Sequence, residues 1–449
     1  MLSRPLAVAF PTLGCRLNQV ETQEMAALMA ARGFRAAAGE PAGIYVVNTC
    51  TVTGRADFSD RQLIRRIRRE NPDAVVVVTG CWAQTDPDTV AGLGGVDLVL
   101  GNQEKYRLPE LVEGLLARRP EGPREARTPT VRVAPIAEAR SVPFAPFVRV
   151  TGRSRAFVKV QDGCQHRCAF CIVPAARGGS RSQDPKVVLD QVRLLVEAGH
   201  GEVTLTGVDL GHYGWDLVPR TSLAALLAML AAVPGLRWLR LSSVLPAYFT
   251  PALIEAVTTI PVIAPHVHLP LQSGSDRVLR LMRRPYNTRM YRTLAERLAA
   301  AIPELGLGGD VIVGHPGESD ADFAATMDLV RALPFSYLHV FAYSDRKGTE
   351  AARLAGRVHS ATIRGRGAAL RRLAEDKGLQ FRRRLVGRTR EVLVLDTPDG
   401  TTGLRAGLTG NYVEVRFPGP AGLGRRFLPV TITDCSPTGT FGTLEAATA

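Results

Sequence analysis

Residues 156–171 read Ala-Phe-Val-Lys-Val-Gln-Asp-Gly-Cys-Gln-His-Arg-Cys-Ala-Phe-Cys, an apolar run followed by three cysteines. The run has the length and the valine content of a buried strand, so the loop with Cys164, Cys168 and Cys171 follows a strand end. Three thiolates on one loop can hold three corners of a cubane iron–sulfur cluster and leave the fourth iron open to a small molecule. This loop therefore predicts a catalytic metal centre.

A structural zinc site is the main alternative for this loop. Such sites usually close with four ligands, and a fourth Cys or His is not obvious, because His166 is sterically awkward within the loop. Redox-inert thiols are a further alternative that the spacing alone leaves open.

A series of strands and helices continues from this loop. The apolar runs alternate with helical patterns such as Pro185–Glu197 and Ser222–Ala232, and they cover Ala156–Gln161, Glu202–Gly207, Trp238–Ser243, His266–Leu271, Asp310–Gly314 and Tyr337–Tyr343. Six β/α units predict an α/β fold with a central, open partial barrel. A flat sheet remains an alternative, because periodicity does not separate the two.

Before the loop, apolar runs and helical patterns also alternate. The runs are Leu6–Phe10, Gly43–Asn48, Ala74–Thr79 and Val96–Leu100, and the helical patterns include Glu21–Arg32 and Ser59–Glu70. This alternation predicts a doubly wound parallel sheet.

Cys15, Cys50 and Cys81 each follow one of these N-terminal strands. Because loops at the carboxyl ends of parallel strands converge on one crevice, the three thiols are expected to meet and to form a second three-cysteine cluster site. Zinc held by the three cysteines and one unidentified ligand is the alternative, and each thiol taken singly is typical of a buried core cysteine. Cys435 has no partner motif and is interpreted as a structural thiol.

From about Arg384 the pattern changes to short β-type runs divided by Gly, Pro, Asp and Asn. They are Val392–Asp396, Thr402–Ala406, Tyr412–Phe417 and Phe427–Thr433, and they predict a small antiparallel β-barrel. The predicted domains are therefore residues 1–116, a linker at 117–147, a central domain at 148–383 and a C-terminal domain at 384–446.

Charge and composition narrow the partners. The 449 residues include 56 Lys and Arg against 42 Asp and Glu, and the net charge of +14 favours a polyanionic partner. A basic but otherwise ordinary enzyme is the alternative. We expect a cytoplasmic protein without membrane contact, because no apolar run is long enough to span a bilayer and the N-terminus is a poor signal peptide. Seven cysteines in such a chain do not suggest a disulfide framework.

The Cys-x₃-Cys-x₂-Cys spacing with an aromatic residue before the last cysteine resembles the radical S-adenosylmethionine (SAM) superfamily. The resemblance implies that SAM chelates the open iron and that one electron cleaves it to a 5′-deoxyadenosyl radical. It also implies SAM contacts from Phe170 and from Glu202, Gln272 and Gly314, which are expected at carboxyl ends of strands. The plainer interpretations are core packing for Phe170, a surface acid for Glu202 and ordinary turns for the others.

More specific motifs resemble the methylthiotransferase family of radical SAM enzymes across almost the whole chain. They are Leu13–Asn18 (LGCRLN), Asn48–Thr53 (NTCTVT), Gly80–Gln84 (GCWAQ), the Cys164 loop, Arg177–Ser182 (RGGSRS), His268–Ser275 (HLPLQSGS) and Tyr343–Thr349 (YSDRKGT). The resemblance implies two 4Fe–4S clusters, a second SAM as methyl donor, and a C-terminal TRAM domain, an OB-like barrel that binds RNA or protein. The implied partners are a tRNA anticodon stem–loop, an electron donor such as flavodoxin or ferredoxin, and a sulfur source.

The family modifies N6-isopentenyladenosine or N6-threonylcarbamoyladenosine in tRNA, or an aspartate of a ribosomal protein. Thr53 with Ala56 and Asp57 looks most like the threonylcarbamoyladenosine branch, which modifies adenosine 37 beside the anticodon. His315 departs from the phenylalanine usual in the Gly-Phe-Pro-Gly-Glu element. A non-enzymatic iron–sulfur or RNA-binding protein is the alternative outside the family.

Overall fold

The computed structural model describes residues 6–37, 39–118, 128–148, 153–397, 399–400 and 402–445. They form two compact units, each assembled from separate stretches of chain. The first comprises Met1–Phe147, Gln161–Gln183 and Ser344–Ala352, and the second comprises Val148–Val160, Asp184–Tyr343 and Arg353–Ala449. The domain boundaries stay predictions, and residues 119–127 of the predicted linker lie outside the described residues.

The first unit contains a six-stranded sheet in which all neighbouring strands run parallel. In spatial order the strands are Arg35–Ala36, Ala7–Ala9, Ile44–Thr49, Val75–Gly80, Leu98–Leu100 and Thr130–Arg132. The helices are Arg16–Ala31, Gly54–Glu70, Cys81–Thr85, Pro87–Ala91 and Leu108–Ala117. The predicted doubly wound sheet is confirmed, and the chain adds two short outer strands that the sequence analysis did not predict.

The sheet is buried on both faces, as expected when helices cover a parallel sheet. On one face Val46 and Val77 belong to an apolar cluster with Met25. On the other face Val47 and Val76 and their neighbours pack with Ile64 and Trp82. Burial on both faces explains why the strand Val75–Gly80 is a continuous apolar run rather than an alternating one.

The first unit also contains a short antiparallel pair of strands, Gln161–Asp162 with Arg181–Ser182. The cysteine loop and the short helix Val173–Arg177 lie between these two strands.

The second unit contains six parallel strands in two three-stranded sheets. In spatial order they are Trp238–Leu241, Glu202–Thr206 and Ala156–Lys159, and His266–His268, Gly306–Val313 and Tyr337–Ala342. The helices are Pro185–Glu197, Leu223–Ala231, Pro251–Thr259, Asp276–Leu281, Thr288–Ala301, Asp320–Ala332 and Ser360–Arg383. The six predicted strands are all present, and they make the α/β partial barrel that the sequence predicted.

The chain ends in a closed five-stranded barrel within the second unit, here called the small barrel. Around the barrel its strands are Thr389–Val394, Arg405–Thr409, Glu414–Phe417, Gly439–Leu444 and Phe427–Ser436. Its interior is apolar and includes Val392, Phe417 and Ile432. Four strands were predicted, and Gly439–Leu444 was missed because its glycines weaken the pattern; a Cβ at Gly442 would lie 2.7 Å from Thr431 O.

The small barrel packs on the amino-terminal end of the partial-barrel strands. Arg240 donates to Gly410 O at 2.8 Å, and the rings of Trp238 and Phe427 meet edge to face with centroids 4.9 Å apart. The ring of Tyr412 stacks on His266 at 4.5 Å. Within the described residues, no helix has the length and apolar character that crossing a membrane requires.

Candidate metal centres and ligand site

Cys15, Cys50 and Cys81 all lie at carboxyl ends of strands in the first unit. Cys50 directly follows the strand Ile44–Thr49. Cys81 directly follows the strand Val75–Gly80 and is the first residue of a helix. Cys15 immediately precedes the helix Arg16–Ala31. Cys50 and Cys81 are buried and Cys15 is exposed. The three thiols interact electrostatically, since Cys81 and Cys15 both raise the pKa of Cys50. The predicted convergence is therefore present in the fold.

Two glycines allow this approach. Gly14 has φ +103°, and a Cβ there would lie 2.7 Å from Cys50 Cβ. Gly80 has φ +100°, and a Cβ there would lie 2.4 Å from Thr49 O. Both glycines directly precede a thiol, so a side chain at either position would displace the loops that carry the cysteines.

Burial raises the pKa of the Cys50 and Cys81 thiols. Burial, followed by the effect of Cys81, raises the pKa of Cys50 to about 12. Burial also raises the pKa of Cys81, although the Arg177 guanidinium opposes it. Metals bind thiolates, so a metal that occupies this site must displace protons and supply positive charge in return.

The chemistry of the donor set bears on the zinc alternative. Structural zinc usually closes with four protein ligands, whereas each trio offers three free thiols. Three thiolates that leave one iron open suit an iron–sulfur cluster at both places.

Cys164, Cys168 and Cys171 lie on the loop of the short antiparallel pair, and all three are partly exposed. Cys171 N donates to Cys168 O at 3.0 Å, and Cys164 N donates to Gly178 O at 2.9 Å. His166 contributes its backbone N–H to Cys164 Sγ at 3.4 Å, a contact of the type that stabilises a thiolate. The loop has the exposure and backbone donors that a cluster open to a small molecule requires.

Arg177 connects the two cysteine trios within the first unit, a role that its motif Arg177–Ser182 did not predict. Its buried guanidinium donates to Glu21 at 2.8 Å, to Asp162 at 3.1 Å and to Asn18 at 2.9 Å. Asn18 in turn donates to Leu13 O and Thr49 O, both at 2.8 Å, in the loops that carry Cys15 and Cys50. Asp162 precedes the Cys164 loop, so one guanidinium fixes both loops.

The loop after Cys50 has a second charged anchor. Arg346 donates to Asp57 at 2.6 Å and to Thr51 at 2.7 Å, and Thr51 also donates to Asp57 at 2.9 Å. The motifs that contain these residues were quoted in the sequence analysis, but their contact joins positions 289 apart in the chain and was not predicted.

The interior face of the partial barrel is polar. Strand register places eight side chains on this face, namely Glu202, Thr204, Arg240, His266, His268, Asp310, Tyr337 and His339. Glu202 is fully buried and pairs with Arg240 at 2.8 Å. Buried oxygens of Thr204, Ser242 and Gln272 have no hydrogen-bond partner among the described residues. Such groups are costly unless a polar ligand satisfies them, so this face fits a polar small molecule such as SAM.

The four predicted SAM contacts differ in placement. Gly314 directly follows the strand Gly306–Val313, and Gln272 lies near the same end of the sheet, bridged to Val311 with φ +65°. Phe170 lies half-buried in the cysteine loop. Glu202 was expected at a carboxyl end, and that expectation is wrong, because it is the first residue of its strand. The glycines before it suggested a loop, but Glu202 pairs with Arg240 instead.

Comparisons with known proteins agree with this arrangement. Residues 158–330 match the profile described as Radical SAM superfamily, and residues 7–101 match the Uncharacterized protein family UPF0004. A threonylcarbamoyladenosine tRNA methylthiotransferase MtaB of Bacillus subtilis is 36% identical over 95% of this chain and 93% of its own. The MtaB of Aquifex aeolicus is 37% identical over 94% of this chain and 98% of its own.

Relatives with another substrate match as well. A tRNA-2-methylthio-N(6)-dimethylallyladenosine synthase of Mycobacterium ulcerans is 36% identical over 95% of this chain and 81% of its own. Among solved structures, the radical S-adenosylmethionine methyltransferase TsrM of Kitasatospora setae, with cobalamin and a [4Fe-4S] cluster bound, superposes with a TM-score of 0.56. It covers 78% of this chain and 77% of its own at 17% identity, which shows a shared fold.

Proposed function

The chain belongs to the family of radical SAM tRNA methylthiotransferases, and from this premise we propose that it converts N6-threonylcarbamoyladenosine at position 37 of tRNA to its 2-methylthio derivative. As a member of this family it uses SAM and 4Fe–4S clusters. We expect it to act in the cytoplasm with an electron donor such as flavodoxin or ferredoxin and with a sulfur source.

The observation that carries the proposal is the presence of two trios of free thiols in one compact unit. In our proposal Cys164, Cys168 and Cys171 hold the cluster that chelates SAM. Cys15, Cys50 and Cys81 would hold the second cluster. When bound, the two clusters supply the electron that cleaves SAM and the site of sulfur transfer.

The chain's own residues prepare these sites. The guanidinium of Arg177 keeps both cysteine loops in register, and the N–H of His166 stabilises negative charge on Cys164. Phe170, Gln272 and Gly314 each stay a proposed SAM contact. Glu202 is not proposed again as a SAM contact, because Arg240 already occupies its carboxylate.

Sequence identity does not choose between the two tRNA substrates, since relatives of both names match almost equally. The polar barrel interior favours the threonylcarbamoyl group, which carries a carboxylate and a hydroxyl. A dimethylallyl group offers no hydrogen-bonding atom to this polar face.

The RNA-binding surface is proposed on the small barrel and the helix Ser360–Arg383. A groove of about 920 Å³ between them is lined by four arginines and three acids, namely Arg371, Arg372, Arg382 and Arg416 with Glu375, Asp376 and Glu414. Arg416 is paired with Glu414 and Asp399, so the other three arginines are the cations proposed for phosphate. These cations suit phosphates of an anticodon stem, whose unpaired loop lets a base leave the stack.

The test is nucleoside analysis of tRNA from cells that lack the protein. We expect 2-methylthio-N6-threonylcarbamoyladenosine to disappear while its unmethylthiolated precursor accumulates. Unchanged levels would overturn the substrate assignment, and loss of a 2-methylthio-isopentenyl nucleoside instead would favour the second branch. If the chain instead modified a ribosomal protein, its binding to tRNA would not depend on salt. If it were not an enzyme, the reduced protein would form no 5′-deoxyadenosine from SAM.

A further inference from the structure

The helix Gly54–Glu70 of the first unit has an exposed side to which nothing above assigns a function. Residues three, four or seven positions apart lie on the same side of a helix. Six exposed residues with this spacing form what is here called the arginine face, namely Arg55, Phe58, Gln62, Arg65, Arg66 and Arg69. Asp60, Ile64 and Ile67 are buried on the other side of the helix. The helix therefore separates a basic outer face from a buried inner one.

Most cations of the arginine face have no carboxylate partner. Among the described residues, Arg55, Arg65 and Arg66 form no ion pair, and Arg69 has only a contact of 3.8 Å with Glu70. The acids earlier in the helix do not neutralise the face, because Asp57 pairs with Arg346 and Asp60 is buried. An unpaired guanidinium suits phosphate, since its planar group can donate to two phosphate oxygens at once.

Phe58 is an exposed ring within this row of cations. It is 60% exposed, and Val52 in the preceding loop is 49% exposed. Unpaired bases of an RNA loop stack on aromatic side chains, whereas the bases of a duplex are already stacked on each other. An aromatic ring among arginines therefore fits RNA that includes an unpaired segment.

The first turns of the helix are fixed to the loop that carries Cys50. Asp60 accepts a hydrogen bond from Cys50 N at 3.0 Å, and Thr51 donates to Asp57 at 2.9 Å. Phe58 lies between these two acids in the helix. Residues 65–69 follow about 10–17 Å further along the helix axis, at 1.5 Å per residue. The ring is thus at the end of the helix beside the proposed second cluster site, and the arginines extend away from it.

We propose that the arginine face binds the anticodon arm of tRNA. Phe58 stacks on an unpaired base of the loop, and Arg65, Arg66 and Arg69 contact phosphates of the stem. This polarity matches the chemistry, because the base to be modified has to approach the site next to Cys50. The inference rests on the proposed function only in taking tRNA as the substrate, and it adds an RNA surface on the first unit to the one proposed on the second.

An acidic protein that delivers electrons, such as a flavodoxin, is the competing partner for a basic face. Its carboxylates would pair with the same arginines. The exposed ring of Phe58 favours RNA, because cations interleaved with an aromatic ring are the pattern of binding to unpaired nucleotides.

The experiment measures binding of the reconstituted holoenzyme to two RNAs by fluorescence anisotropy, an anticodon stem–loop and a blunt duplex with the same stem sequence. Arg65→Gln combined with Arg66→Gln should weaken binding to both RNAs and lower the slope of log affinity against log salt by about two. Phe58→Ala should weaken binding to the stem–loop about tenfold and leave binding to the duplex unchanged. Phe58→Trp should keep the wild-type affinity, because it keeps a ring on which a base can stack.

Arg32→Gln combined with Arg107→Gln is the matched control. It removes the same charge from the first unit, but these exposed arginines already pair with Glu113 and Glu110. We expect its affinity and its salt slope to equal those of the wild type. We also expect the iron content of every variant to equal that of the wild type, because all the substituted side chains are exposed.

Other results overturn the inference in distinguishable ways. An unchanged slope in the Arg65 and Arg66 double variant, or an equal change in the control, would show that the arginine face does not bind RNA. Equal losses for stem–loop and duplex in Phe58→Ala would show that no unpaired base stacks on the ring. If the double variant lost SAM cleavage with reduced flavodoxin but not with dithionite, at unchanged affinity for RNA, the face would be the docking site of the electron donor instead. A wild type that binds the stem–loop but methylthiolates no adenosine would refute the proposed function and leave the RNA surface standing.

Discussion

At the scale of single residues, Arg177 is a buried cation that pairs with two buried carboxylates of the first unit, Glu21 and Asp162. Arg177→Met would keep the length of the side chain but remove the guanidinium from both carboxylates, while Lys105 stays paired with Glu21 at 2.5 Å. Breaking a buried pair in this way costs about 3–5 kcal/mol. We expect the free energy of unfolding, measured with urea, to fall by that amount.

Arg107→Met is the control for this substitution. Arg107 pairs with Glu110 on the surface, where water and salt screen the ion pair and it contributes little to stability. If the free energy of unfolding falls equally in the two variants, the buried network around Arg177 contributes no more to stability than a surface ion pair. Iron content measured on the same samples would show whether both cysteine loops depend on this guanidinium.

His315 replaces the phenylalanine usual in this family element, and it is fully buried. Burial lowers the pKa of its imidazole, and the hydrogen bond to Pro316 O opposes this only in part. The unfolded chain therefore binds more protons than the folded chain below about pH 6.5, and stability falls as the pH drops through that range.

His315→Phe should remove this acid sensitivity and keep the edge-to-face ring contact with Tyr343 at 5.5 Å. We expect the wild type to lose stability relative to the variant between about pH 7 and pH 5, measured by urea unfolding across that range. Parallel stability curves for the two proteins would contradict the assignment of a lowered pKa to His315.

At the scale of elements, the cysteine loop closes only because its flanking backbone approaches within van der Waals distance. A Cβ at Gly163 would lie 1.9 Å from Gly179 O, and φ there is +72°. Gly163→Ala should therefore displace the Cys164 loop and lower reconstituted iron from about eight to about four per chain. Gly179→Ala meets no atom within 4 Å and is the matched control. Full iron content in Gly163→Ala would show that the loop tolerates the shift.

Elements of the interior were predictable from the sequence, and short or glycine-rich ones were not. The run Val75–Gly80 was recognised because both of its faces are buried. The outer strand Thr130–Arg132 has three residues, half-buried or exposed, and carries no pattern to recognise. The convergence of Cys15, Cys50 and Cys81 followed from strand ends alone. The Arg177–Glu21 contact did not, because its partners are 156 residues apart and only the folded chain brings them together.

At the scale of the whole molecule, the excess positive charge is not evenly available to a partner. Arg366 lies on the helix Ser360–Arg383, but it is buried and paired with Glu318 and Asp320 at 2.6 and 2.7 Å. Arg371 and Arg372 are exposed on the same helix and line the groove beside the small barrel. The net charge of +14 can therefore attract a polyanion only at side chains like these, which are not paired with a carboxylate.

This distinction predicts the salt dependence of tRNA binding. Each arginine that neutralises a phosphate releases condensed counterions and adds about 0.9 to the slope of log affinity against log salt. Arg371→Gln combined with Arg372→Gln should weaken binding to tRNA and lower that slope by about two, measured by fluorescence anisotropy between about 50 and 200 mM salt. Arg193→Gln is the control, because Arg193 lies on another helix and pairs with Asp190 at 3.7 Å. An unchanged slope in the double variant, or an equal change in the control, would place the tRNA phosphates elsewhere on the protein.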